Sequence, residues 1–133
     1  MLDPGFLVIS CGRLLIGFPA NSVMGIFPWS DPRPLPGAAP WIAGLLPWEG
    51  GVLPVARTDF WRGGPEVPDV CAVLTLRGRG LAIPGRSPWL AARGPLSDAA
   101  VLGEGPWEGE LRSGEKNVAC VNVEKLYLAL GLH

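Results

Sequence analysis

Residues 41–56 read Trp41-Ile42-Ala43-Gly44-Leu45-Leu46-Pro47-Trp48-Glu49-Gly50-Gly51-Val52-Leu53-Pro54-Val55-Ala56. Two short apolar runs flank the turn pair Glu49-Gly50, and glycine there supplies the positive φ that tight hairpin turns demand. The stretch is therefore expected to be an antiparallel hairpin, with Pro54 at a place where its missing N–H is tolerated, as on an edge. That reading makes the first half of the chain a small, closed or nearly closed sheet.

Upstream, Phe6–Ser10 and Leu14–Phe18 read as two apolar strands joined by a turn near Gly12-Arg13. Pro19–Ser22 supplies turn residues ahead of Val23-Met24-Gly25-Ile26-Phe27, expected to be a short helical turn followed by a strand. Residues 28–40 carry five prolines, at 28, 32, 34, 36 and 40, which fits an ordered loop and not a central strand. Downstream, residues 60–69 form a second turn-rich break, after which Val70–Leu76 resumes strand character. Arg77-Gly78-Arg79-Gly80 is a hairpin turn into Leu81–Ile83, and Asn117–Val121 is one more candidate strand. Residues 84–116 give weak signals. Val123, Leu126, Tyr127 and Leu130 follow helical spacing, with Asn122 as N-cap and Glu124 in the first turn. The hairpin pattern restarts after the second break, suggesting two small β subdomains, although no fixed-period repeat is visible in the residues themselves.

Composition excludes several classes. In 133 residues, 48% are apolar, enough for one packed domain, so a disordered linker is not expected. The balance of 11 basic against 12 acidic side chains offers no basic surface for a nucleic-acid backbone or an anionic membrane. With no basic-then-apolar leader at Met1–Gly5 and no apolar run near ~18 residues, the chain is expected to be cytoplasmic, with no direct membrane insertion.

Catalysis has few candidates. The sole histidine is His133, which leaves serine–histidine, cysteine–histidine and multi-histidine metal sites without their key residue. Cys11, Cys71 and Cys120 are widely spaced inside apolar stretches and read as buried thiols. Gly78-Arg79-Gly80 is too short for a phosphate-binding fingerprint, and Glu104, Glu108 and Glu110 read as solvated loop charges. No metal or other cofactor is expected. Six tryptophans remain, and Trp29, Trp41 and Trp48, bordering the proline loop and its hairpin, are the best candidates for contact with a partner.

In pattern and order these segments resemble the CheW-like domain, which couples chemoreceptors to the histidine kinase CheA. The likeness runs from the opening hairpin through Val23–Phe27, Leu35-Pro36-Gly37 and the stretch from Gly44 to Val55, its most specific part; Val70–Leu76 and Val118–Leu128 are similar more loosely. What the resemblance implies is an all-β fold of two small five-stranded SH3-like β-barrel subdomains packed together, with a short C-terminal helix. It implies a single domain over residues 1–133, with approximate subdomains 1–62 and 63–133 between which the chain ends can cross. It further implies a non-catalytic adaptor that binds a CheA-like histidine kinase and the cytoplasmic tip of a chemoreceptor on separate surfaces. The partner-binding residues expected from it are Val23, Met24, Gly25, Gly44, Leu45, Trp48, Glu49, Gly50 and Val55. The family's turn usually reads Asn-Leu-Arg-Gly; here it is Pro47-Trp48-Glu49-Gly50, so the sign is reversed at a position associated with receptor coupling. Ile83-Pro84-Gly85-Arg86 replaces a typical Val-Asp-x-Val, and Asn122 stands where aspartate is common. Two other classes compete with the adaptor: a small β-barrel that binds a sugar or single-stranded nucleic acid through its tryptophans, and an enzyme built on a cysteine.

Overall fold

The computed structural model describes residues 5–57, 67–98 and 102–132. Met1–Pro4, most of the turn-rich break at 60–69, Trp61 and His133 lie outside them. The described chain is mostly β, with nine strands and one short helix: β1 (Gly5–Cys11), β2 (Leu14–Pro19), β3 (Val23–Pro28), β4 (Ile42–Trp48), β5 (Gly51–Ala56), β6 (Val70–Leu76), β7 (Arg79–Arg93), β8 (Trp107–Ser113), β9 (Lys116–Val121) and α1 (Val123–Ala129). The helical turn expected within Val23–Phe27 lies just before it, as a 3-10 turn over Ala20–Ser22. The hairpin at Glu49-Gly50 is present, and both turn residues have positive φ (43° and 81°), the geometry that matches the twist of the strands it joins.

The weakly patterned region 84–116 departs most from expectation. It holds the second half of β7 and all of β8. β7 serves two sheets in turn: Arg79–Gly85 pairs with β6, and from Arg86 on the same strand pairs with β1. One five-stranded group runs β7–β1–β2–β9–β8, and the other β3–β6–β7–β5–β4. Each group draws strands from both sides of positions 62/63.

The two groups share one plan. In each, a hairpin (β1–β2 or β6–β7) lies parallel to the second strand of another hairpin (β8–β9 or β4–β5). In each, an isolated bridge from the segment after the edge strand closes the circuit: Ser97 to Glu110 of β8, and Arg33 to Leu45 of β4. Matching strand positions recur at one constant spacing, that from Gly44 to Gly109, which also takes Val55 to Cys120 and Phe6 to Cys71, and the bridging residues Arg33 and Ser97 are one residue out of step with it. The chain thus contains a structural repeat whose halves exchange strands. The repeat is invisible to residue matching because side chains differ at most equivalent positions, while backbone register is kept.

Three apolar clusters follow from this plan. Phe6, Val8, Leu111 and Val118 fill one group, and Leu46, Leu53, Val55 and Val73 the other. The third lies between them, where Ile16, Phe18, Leu74 and Leu81 meet Leu126 and Tyr127 of α1. Burying a side chain such as Leu126 fully contributes about 1.5–3 kcal/mol, so α1 stabilises the junction of the two groups. Asn122 caps α1 as expected, its side-chain oxygen accepting from the Lys125 N–H at 3.0 Å, and its amide also donates to Glu108 at 2.6 Å. The Tyr127 hydroxyl donates to the Arg79 carbonyl at 2.8 Å.

Candidate interaction surface

β3 and β4 are the two ends of the β3–β6–β7–β5–β4 group, so Val23, Met24, Gly25, Gly44, Leu45 and Trp48 fall on strands with an unpaired side, while Glu49 and Gly50 form the turn after β4 and Val55 lies on β5, which is paired on both sides. Edges of this kind offer backbone and side chains to another molecule unless something covers them. Here the proline loop covers part of β4. The Arg33 N–H donates to the Leu45 carbonyl at 2.8 Å, and the Leu45 N–H returns a bond to Arg33 at 2.9 Å.

This cover gives position 44 a packing reason to be glycine. A Cβ there would stand 2.6 Å from the Arg33 carbonyl oxygen and 2.9 Å from Pro32 Cβ, so the glycine exists to admit the loop backbone and is buried. Gly109 admits Ser97 in the same way, with 2.6 Å to the Ser97 oxygen. Val55 has 0% exposure and faces the apolar interior beside Ala82. Neither residue offers a side-chain surface to a partner in this conformation.

The remaining residues fall into two sets. Met24 is the extra residue of a bulge in β3, between the Val23–Leu74 and Gly25–Val73 pairs, and this turns its side chain outward to 50% exposure. Glu49 and Gly50 are exposed at the hairpin tip. Val23, Gly25, Leu45 and Trp48 are half-buried. Gly25 has its own packing reason, because a Cβ there would lie 2.8 Å from the Phe27 ring. That ring in turn meets Trp48 edge-on at 4.8 Å, which joins β3 to β4. Val52 was not among the expected residues, yet it is 62% exposed directly opposite Pro47. The signal was present: Leu53 and Val55 point inward, so the period of two places Val52 outward.

The tryptophans separate into roles. Trp29 and Trp48 lean on the cluster of Leu46 and Val73, with the Trp29 ring N–H donating to Asp31 at 3.3 Å, and Trp41 packs against the central cluster. Trp107 is buried, whereas Trp89 is half exposed on β7. An open groove of about 670 Å³ lies between Phe6, Pro19, Ser22, Arg93 and the Asn122 end of α1.

The catalytic candidates do not converge. All three cysteines are buried. Burial raises the pKa of Cys71, and it pushes Cys120 up to about 12, disfavouring the nucleophilic thiolate. Glu108 is engaged with Asn122, and the Glu110 backbone with Ser97. Among the described residues no group of three His, Cys, Asp or Glu could hold a metal ion, and no helix is long and apolar enough to cross a membrane.

Compared with known proteins, residues 5–84 match the CheW-like domain. No curated protein matches the chain. The scaffolding protein TtCheW from Thermoanaerobacter tengcongensis superposes with a TM-score of 0.69 at 14% identity, over 91% of this chain and 85% of that one. At that identity the likeness is one of fold.

Proposed function

The chain belongs to the CheW-like domain family, and from that premise we propose that it is a non-catalytic cytoplasmic adaptor linking a CheA-like histidine kinase to a chemoreceptor. In this reading the two strand groups are its SH3-like barrel subdomains. The kinase docks on the patch formed by Met24, Trp48, Glu49 and Val52, so the turn position that the resemblance associates with receptor coupling serves the kinase in this chain, and the receptor binds elsewhere.

The observation that carries the reading is the exposed apolar side chains on and beside an incompletely covered sheet edge, in the part of the chain that matches the family. Met24 and Val52 stand outward there without a role in the core. Methionine and aromatic side chains are enriched at the cores of protein–protein contacts. The sugar or nucleic-acid alternative draws no comparable support among the described residues, since Trp107 is interior, Trp29, Trp41 and Trp48 are half-buried packing residues, and Trp89 alone of the described tryptophans is half exposed.

Titration calorimetry of the purified protein against the regulatory region of its cognate kinase tests the proposal. Saturable one-to-one binding, weakened about tenfold or more by Met24→Asp in a variant that melts normally, is the expected result. No heat of binding, under conditions where the kinase binds a standard coupling protein, contradicts it.

A further inference from the structure

Two residues other than glycine have positive φ among the described residues: Glu49 at 43° and Arg77 at 51°. Each takes the first central position of a two-residue hairpin, β4–β5 or β6–β7, and each is followed by a glycine. Left-handed backbone is costly for a side chain with a Cβ, and asparagine or glycine fits this turn position better. A charged residue held there points to a use for its side chain.

For Arg77 the use is internal, an ion pair with Glu124 in the first turn of α1. Glu49 makes no ion pair or hydrogen bond among the described residues. It is exposed, and it adjoins Trp48, with Val52 just past the turn. The equivalent turn positions in the other half of the structural repeat are glycines, Gly12 and Gly114, so one half alone fills the strained position with charge, once with an ion-pair partner in the chain and once with none among the described residues.

We propose that Glu49 is the charged recognition element of the docking patch, and that the kinase surface docking there presents a basic side chain to it. The proposal rests on the adaptor reading and specifies its partner. A carboxylate at the rim of an apolar contact acts chiefly on association rate and on the rejection of wrong partners. It would select kinases whose docking surface is basic at this point over those that are acidic.

The test measures binding kinetics against the cognate kinase regulatory region at low and moderate salt, for wild type, Glu49→Arg and Glu49→Asn. Glu49→Arg is expected to raise Kd about tenfold, mainly through slower association, and to flatten the salt dependence. Glu49→Asn is expected to melt above wild type, because it suits the left-handed turn, while binding more weakly. Opposite movements of stability and affinity separate recognition from turn geometry. Wild-type binding that Glu49→Arg leaves within about twofold overturns the proposal while the adaptor reading stands. Absence of wild-type binding overturns the adaptor reading, and this inference with it.

Discussion

The ring of Phe27 meets the ring of Trp48 edge-on, centroids 4.8 Å apart and planes at 79°, and so joins β3 to β4 where no strand ladder links them. Edge-to-face pairs contribute about 0.5–1.5 kcal/mol beyond the area they bury. A double-mutant cycle of Phe27→Leu and Trp48→Leu, read by urea unfolding, is expected to show a coupling of about 1 kcal/mol. Additive losses would mean that the two edges are held independently.

Gly44 and Gly109 occupy equivalent places, each under a backbone carbonyl 2.6 Å from where a Cβ would lie. Because the obstacle is backbone, relief requires the covering segment to move. Alanine at either position is expected to cost about 1–3 kcal/mol, and by similar amounts, as overpacked sites do. Unfolding free energies that differ greatly between the two variants would count against the structural repeat.

Acid should loosen the base of the β6–β7 hairpin. The Ser87 hydroxyl and N–H both donate to Asp69, at 2.6 and 2.7 Å, and with Arg86 they hold its carboxyl below the usual carboxylate range. A depressed carboxylate pKa gives stability that is present above the unfolded value of about 4 and lost as pH falls through the folded one. Asp69→Asn is therefore expected to lie closer to wild type in melting temperature at pH 3 than at pH 7. An equal gap at both pH values would remove Asp69 from the acid response.

Turn chemistry and helix signals were legible in the residues. The hairpins at Gly12, Glu49-Gly50 and Gly78 and the Asn122-capped helix are all present. β8 was not legible, because Trp107-Glu108-Gly109-Glu110-Leu111 alternates inside and outside with a glycine at one inward place, leaving too few apolar residues to mark it. The second half of β7 was hidden by Pro84 and Pro88, which read as breaks but sit where the strand passes from one sheet to the other.

Local context also failed to sort the tryptophans. Trp89 and Trp107 each follow a proline, yet one is 50% exposed and the other buried, since long-range pairing decides which face of a strand is covered. Gly44 was legible as special but not for its reason. The sequence marks a glycine within an apolar strand, and only the fold reveals the Arg33 carbonyl above it.

Amide hydrogen exchange with and without the kinase regulatory region tests the central claim most directly. The account predicts added protection on β3 around Met24 and Gly25 and at the β4–β5 tip from Trp48 to Val52, with β8 and β9 unchanged. Protection confined to β8 and β9, or no change at saturating kinase, would contradict it.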